Sequence, residues 1–349
     1  MRRLAPPGGS DQSVQGTNDD AQISKLSCVQ LGYFKDDFIK YFVTKRSRRS
    51  PLINRGYYSR AAALQELVVQ FLGVRSDGKG VTEPAVKKQV LSLGAGYDTL
   101  YFNLQAAGLA PHRYYEIDFP VVTKTKASIV SQTPAMLSLA GADPAVDTET
   151  GSIVSDSYCL MPGDLRDIGA FEAALRDNGF DPSVPTLVLS ECVLVYMEPK
   201  YSQELVNWAG RTLPDAVFVV YEQIHPDDAF GQQMLINLES RGCPLKGIEA
   251  TPTLEAHRQR FLRAGWGRAE SLSMDAIYRD FLDKADLRRI ERLEIFDEFE
   301  EWHMIQEHYC ITCGINDAQG LFRDFGFKRA AAAPPPSGAL PAGCLPNAD

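Results

Sequence analysis

The feature that most limits what this chain can fold into is an alternation along its length. Short apolar runs take turns with stretches whose apolar residues recur at helical spacing. Val90-Leu91-Ser92-Leu93 is the first such run and stops at Gly94. Arg113 to Phe119, Tyr158 to Met161, Thr186 to Leu189 and Ala216 to Tyr221 follow it. Between and after them the pattern predicts helices near 98–107, 121–131, 168–178, 198–212 and 230–240. Strands that alternate with helices, each strand a short continuous apolar run, indicate a mostly parallel sheet covered on both faces. The fold class is therefore α/β, doubly wound.

Two more helical patterns precede the first strand. One spans 21–44 (Leu26, Val29, Tyr33, Phe38, Tyr41, Phe42) and one spans 57–73 (Leu64, Leu67, Val68, Phe71, Leu72). Lying before the sheet begins, they leave room for a helical lid over residues 21–80 above a core of 88–316. A long amphipathic helix around 287–305 and a strand around 308–315 would finish the sheet. Residues 1–20, mostly Gly, Asp, Ser and Gln, read as a disordered tail. Residues 329–349, through AAAPPPSGALPAG, read as a low-complexity tail. One domain of 21–328 remains between them, without internal repeats.

Composition narrows the function. A chain of 349 residues, 44% hydrophobic and 23% charged, can bury a sizeable core. It holds no run of about 18 apolar residues that could span a bilayer. No apolar stretch follows the N-terminal arginines, so no secretory signal is read and a cytoplasmic location is expected. The net charge of −9 repels phosphate backbones and speaks against general nucleic-acid binding. Lys45-Arg46-Ser47-Arg48-Arg49 is a local exception, either a solvated basic turn or a patch that steers an acidic partner. The seven cysteines, an odd number, are scattered apart from Cys310 and Cys313. That argues against a disulfide framework. No second pair matches Cys310 and Cys313, so buried thiols on a strand are expected there and no metal site.

The chemistry gathers at strand ends. The first strand runs into Gly94-Ala95-Gly96-Tyr97-Asp98-Thr99, whose glycines allow a tight turn and close approach of a ligand. Thr99 stands where a pyrophosphate-binding fingerprint has its third glycine, which argues against NAD or FAD. Asp118 closes the second strand 24 positions after Gly94, near the spacing at which a carboxylate meets ribose hydroxyls. Glu116 shares its face and is a second candidate. Asp164 follows the third strand, where it could accept from an adenine amino group or cap a helix. Glu191 ends the fourth strand inside a long apolar run, where a charge needs a partner or a ligand.

The strings LSLGAGYDT, YYEIDFP, GDLRD and SECVLVYM occur in this order, behind Ile53-Asn54-Arg55-Gly56-Tyr57-Tyr58-Ser59-Arg60. Over about residues 22–316 the chain thereby resembles the leucine carboxyl methyltransferase family. The tails do not look like family features, and 132–157 align loosely. The resemblance implies a Rossmann-like class I methyltransferase fold with S-adenosyl-L-methionine as cofactor. It implies Lys25, Arg60, Gly94, Asp118, Asp164, Leu165 and Glu191 as cofactor contacts. The implied reaction is methyl esterification of the C-terminal leucine α-carboxylate of the protein phosphatase 2A catalytic subunit by a monomeric enzyme.

Such a carboxylate is ionised at neutral pH, so no general base is required. The site must align the reacting atoms and exclude water. Arg60, whose fork suits bidentate carboxylate contact, is the expected anchor for the cofactor carboxylate, near enough to orient the substrate. Tyr196 is a candidate donor to the accepting carboxylate, or else a core aromatic. A small-molecule O-methyltransferase or a tRNA wybutosine-type carboxyl methyltransferase would share the fold. The latter group carries a propeller, whose repeats of roughly 50 residues are not found here. A cofactor-free scaffold is the remaining alternative; Gly94, Asp118 and Glu191 speak against it.

Overall fold

The computed structural model describes residues 9–73 and 86–327; the expected tail at 329–349 and the first eight residues lie outside them. Among the described residues nine strands form one sheet: β1 (Gln89–Leu93), β2 (Arg113–Asp118), β3 (Ala145–Asp147), β4 (Ser152–Val154), β5 (Tyr158–Pro162), β6 (Thr186–Glu191), β7 (Asp215–Gln223), β8 (Arg268–Ser273) and β9 (Tyr309–Asp317). Their order is β3-β4-β5-β2-β1-β6-β7-β9-β8. The five strands from β5 to β7 run parallel, while β9 is antiparallel to both β7 and β8. This is the doubly wound, mostly parallel sheet expected from the sequence.

Burial follows from that topology. Every residue of β1 and of β7 is buried, as strands covered on two faces require. Along β7, Val217, Val219 and Tyr221 enter one apolar cluster, and Ala216, Phe218 and Val220 enter the other. From β1 the chain winds outward to β2 and β5, then returns to the other side of β1 as β6 and β7. That reversal opens a crevice beyond the carboxyl ends of β1 and β6, where α/β sheets bind ligands.

Helices α1 (Gly9–Gln30) and α2 (Pro51–Gly73) precede the sheet. Residues 9–20, expected to be disordered, are helical. Apolar burial, the signal sought in the sequence, is not what anchors them. Asp11 pairs with Arg166 at 2.9 Å, and Asp20 pairs with Arg49 and, at 3.3 Å, with Arg241. The pattern read as one helix to residue 44 stops at Gln30. Gly32 has φ +81°, and Asp36 then accepts from the amides of Phe38 and Ile39 to start a separate short turn. The second helix begins at Pro51, earlier than expected, because proline suits a first helical position. Its Leu64, Leu67, Val68 and Phe71 pack into the core.

The helix expected at 287–305 is two helices, Lys284–Ile290 and Phe299–Glu307. Between them Glu294 turns inward and accepts from Tyr33 (3.0 Å), Arg48 (2.8 Å) and Asn54 (2.9 Å). Phe296 lies over the Arg55 guanidinium, 3.8 Å from its ring centre. Those inward contacts do not fit a helix continuing along the surface. Helix Leu254–Arg263, β8 and the β3–β4 hairpin were not anticipated. Cys310 and Cys313 are buried thiols on β9. No helix among the described residues is long and apolar enough to cross a membrane.

Two charges are sealed beneath the β1 turn. Lys126, on α4 (Pro120–Gln132; α3 is Leu100–Ala106), meets Glu116 at 2.5 Å, and both side chains are 0% exposed. Tyr158 donates to the same carboxylate at 2.8 Å, and Lys126 also donates to the Asp98 carbonyl at 2.6 Å. Burial pushes the Glu116 carboxyl above its usual range, against the pull of Lys126. Removing one partner of such a pair strands the other without water. Lys126→Met should therefore lower unfolding free energy by about 3–5 kcal/mol in urea denaturation. Glu116→Leu combined with Lys126→Met should recover most of that loss. Wild-type stability in the single variant would mean that the pair is not held as charges.

Candidate functional site

A cavity of about 610 Å³ opens at the carboxyl edge of the sheet. Strand ends supply its floor: Gly94 after β1, Asp118 on β2, Asp164 and Leu165 after β5, Glu191 on β6 and Tyr221 on β7. Residues Asp11 to Ala21 of α1 and Leu52 to Arg60 of α2 roof it. Arg60, Gly94, Asp118, Asp164, Leu165, Glu191 and Tyr196 all line this one space. Lys25 does not.

The turn after β1 is shaped by its glycines. Gly94 and Gly96 have φ of +59° and +54°, a region open chiefly to glycine. A Cβ on Gly94 would stand 2.6 Å from Val193, and one on Gly96 would collide with the Asn18 side chain of α1. Asp118 holds the turn from the neighbouring strand. Its two carboxylate oxygens accept from the Gly96 and Phe119 amides, both at 2.7 Å. Burial raises the Asp118 carboxyl above its ordinary range, and those two amides oppose the rise. Glu116, two residues earlier on the same face, is occupied with Lys126 and lies outside the cavity.

Glu191 and Arg60 form the charged pair of the wall. Glu191 Oε2 accepts from Arg60 Nε and Nη2, each at 2.8 Å. The guanidinium also lies 4.5 Å from the Tyr221 ring centre, so its plane is fixed from two sides. Lys25 turns instead to Asp98, 3.0 Å away, while staying within electrostatic reach of Glu191 and Arg60. Asp98 belongs to the glycine turn, so Lys25 fastens α1 to the element that shapes the cavity.

Asp164 is gripped by Arg166. The Arg166 Nε and Nη2 atoms donate to Asp164 at 2.6–3.0 Å, and Nη1 and Nη2 donate to Asp11 at 2.9–3.2 Å. Burial would raise the Asp164 carboxyl, but Arg166 outweighs it and holds it below its usual range. Tyr196 reaches the cavity from the turn after β6, Leu194–Tyr196. Burial lifts its phenol well above its ordinary range, so the hydroxyl stays protonated and able to donate. Of the basic stretch, Arg48 and Arg49 are paired with Glu294 and Asp20, whereas Lys45 and Arg46 are exposed.

Sequence reasoning missed Asn18, Arg166, Tyr221 and Tyr309 as wall or support. Arg166 carried a signal, a cation two positions after Asp164 in the same string. Asn18 lay in a segment read as disordered. Tyr221 stands beside Glu191 in the strand register, yet an aromatic there looks like core.

Comparison with known proteins gives a consistent set of relatives. A family model described as leucine carboxyl methyltransferase matches residues 15–210. The chain is 51% identical over 326 residues to the leucine carboxyl methyltransferase 1 homolog of Arabidopsis thaliana, covering 93% of this chain and 96% of that protein. It is 35% identical over 315 residues to leucine carboxyl methyltransferase 1 of Rattus norvegicus, covering 89% and 92%. It is also 42% identical over 338 residues to tRNA wybutosine-synthesizing protein 4 of Homo sapiens. That match covers 96% of this chain but 48% of the relative, so the chain spans about half of its length.

The geometry of the turn yields a stability test. Gly94→Ala places a methyl against the branched Val193 at positive φ and should destabilise by about 1–3 kcal/mol. Gly96→Ala meets only the end of the Asn18 side chain and should lose less. Urea melts of both variants check the order; equal losses would mean that Val193 yields as readily as Asn18.

Proposed function

The chain belongs to the leucine carboxyl methyltransferase family, and we propose that it esterifies the C-terminal leucine α-carboxylate of the protein phosphatase 2A catalytic subunit, using S-adenosyl-L-methionine. The observation that carries this reading is the convergence of Gly94, Asp118, Asp164, Leu165, Glu191 and Arg60 on one cavity. The cofactor fits the chemistry of that wall. The positive-φ backbone of Gly94 lines the cavity with Asp118, whose carboxylate, 8% exposed at its strand end, is suited to ribose hydroxyls. Leu165 offers an apolar surface for an adenine ring, with Asp164 beside it as an acceptor.

When bound, the cofactor supplies an electrophilic methyl group on a sulfonium. The chain's own residues bind and orient. Arg60, braced by Glu191 and Tyr221, offers its remaining N–H groups to a carboxylate. Lys25 adds positive charge nearby. Tyr196, kept protonated by burial, donates to the accepting carboxylate and fixes which oxygen faces the methyl carbon. The substrate carboxylate is already ionised, so no residue needs to take a proton. Helices α1 and α2 roof the cavity and keep water from the reacting oxygen, which favours a reaction whose charges disappear.

A second reading, carboxyl methylation of a tRNA wybutosine precursor, is favoured by the likeness to the tRNA wybutosine-synthesizing relative. The net charge of −9 opposes it. One experiment separates the two. Labelled cofactor is incubated with the phosphatase heterodimer or with tRNA, then treated with mild alkali, which releases methyl esters as volatile methanol. Label released from the phosphatase supports the proposal; label on tRNA alone would replace it with the second reading.

Asp118→Ala and Glu191→Ala should each weaken S-adenosyl-L-methionine binding roughly 10- to 150-fold, the loss of one charge-assisted hydrogen bond. Calorimetry returning wild-type affinity would remove that residue from the site. Lys45→Glu with Arg46→Glu reverses the two exposed charges of the basic stretch without touching the pairs of Arg48 and Arg49. Methylation of the folded phosphatase should slow, less so at high salt, with cofactor affinity unchanged. Full activity in that variant would leave the stretch as a solvated turn.

A further inference from the structure

The wall between β6 and the helix at Pro199–Thr212 is a short loop, Cys192 to Met197, with unusual demands on its backbone. Cys192 has φ +55°, outside the region a side chain prefers. Val193 presses against Gly94, and Tyr196 faces the cavity. The loop's own bonds, Tyr196 N–H to the Val193 carbonyl and Met197 N–H to the Leu194 carbonyl, both 3.1 Å, do not involve the Val195 amide, and what holds that amide needs an explanation.

Glu222 supplies an explanation. It lies on β7 between Tyr221 and Gln223, two residues of the cavity wall, but its own side chain points the other way and is fully buried. Its Oε1 accepts from the Val195 amide at 2.6 Å. The two backbone bonds that flank this contact are Cys192 N–H to the Tyr221 carbonyl and Gly247 N–H to the Val195 carbonyl, both 2.8 Å. The Leu194 amide also faces this carboxylate, and Arg260 acts on it by charge. Arg260 Nη1 stands 3.7 Å from Oε2, beyond hydrogen-bond reach, and Oε2 has no hydrogen-bond partner among the described residues. A fully buried carboxylate that faces the Val195 and Leu194 amides of one loop is placed for that loop.

We infer that Glu222 is a positioning residue, whose carboxylate clamps the Val195 amide and thereby sets where Val193 and Tyr196 stand around the glycine turn. Glu222 touches neither substrate nor cofactor; it acts through the loop. Burial pushes its carboxyl up to about 7 against the opposing Arg260, so a neutral acceptor is also compatible with the pocket. The inference rests on the cavity being the cofactor site, as proposed above.

Three variants test it. Glu222→Gln keeps an acceptor oxygen at the same reach, Glu222→Asp keeps the charge but falls short of Val195, and Glu222→Leu removes the acceptor. Hydrogen–deuterium exchange over 193–197 should be at wild-type level in Glu222→Gln. It should speed up roughly tenfold or more in the Asp and Leu variants, while strand β1 stays protected. Affinity for S-adenosyl-L-methionine, measured by calorimetry, should fall roughly tenfold in those two and stay within about twofold in Glu222→Gln. If Glu222→Leu does not fold, the Asp and Gln pair still decides. Wild-type exchange over 193–197 in Glu222→Asp would overturn the clamp, as would a loosened loop with unchanged cofactor affinity. Wild-type protein that binds no S-adenosyl-L-methionine would sink the proposed function instead, and the exchange comparison would still judge the clamp.

Discussion

The amide of Gly96 and the carboxylate of Asp118 meet across the two central strands, and the geometry of the cavity follows from that contact. A turn with two glycines at positive φ has many conformations available, so something outside it must select one. Asp118 does so from β2, taking the Gly96 amide with one oxygen and its own neighbour's amide with the other. Lys126 supports the same turn from below by donating to the Asp98 carbonyl, and Glu116 neutralises it there. Two acids on one strand face thus divide the work. The inner one balances a buried cation, and the outer one shapes the turn and faces the ligand space.

Helix α1 is tied to its surroundings electrostatically, and to that turn by one pair. Lys25 reaches Asp98, Asp11 reaches Arg166, and Asp20 reaches Arg49 and Arg241. These are partly exposed pairs, individually weak and sensitive to salt. The floor, by contrast, rests on buried strands. A floor of buried strands beneath a first stretch of α1 held by charge pairs suits a cavity whose occupants must enter and leave.

Much of this was legible in the sequence, for a physical reason. Strands buried on two faces need continuous apolar runs, so β1, β2, β5, β6 and β7 could be read directly and their terminal acids stood out. The elements that escaped lack that signal. The β3–β4 hairpin is short, with β3 largely exposed, and β8, Arg-Ala-Glu-Ser-Leu-Ser, is an edge strand with polar residues along most of its length. The helicity of 9–20 depends on partners as far off as Arg166 and Arg241, which no local pattern reveals. The break after Ile290 has the same origin, because Glu294 answers to Tyr33 and Asn54. Lys25 was expected at the cavity surface, but Asp98, one of several acids near the turn, claims it.

The place of β9 in the sheet has a consequence for synthesis. It is the last strand among the described residues, yet it sits inside the sheet between β7 and β8. A nascent chain that has emerged only as far as β8 cannot seat that strand, because its sole neighbour has not yet been made. Until residues 309–317 leave the ribosome, β7 presents an open edge of nine residues, apolar from Ala216 to Tyr221. Vectorial folding from the N-terminus therefore stops one strand short, and completion waits for an insertion that brings distant parts of the chain together. The interval between translating β7 and releasing β9 is when this protein is most exposed to mispairing and has most need of a chaperone.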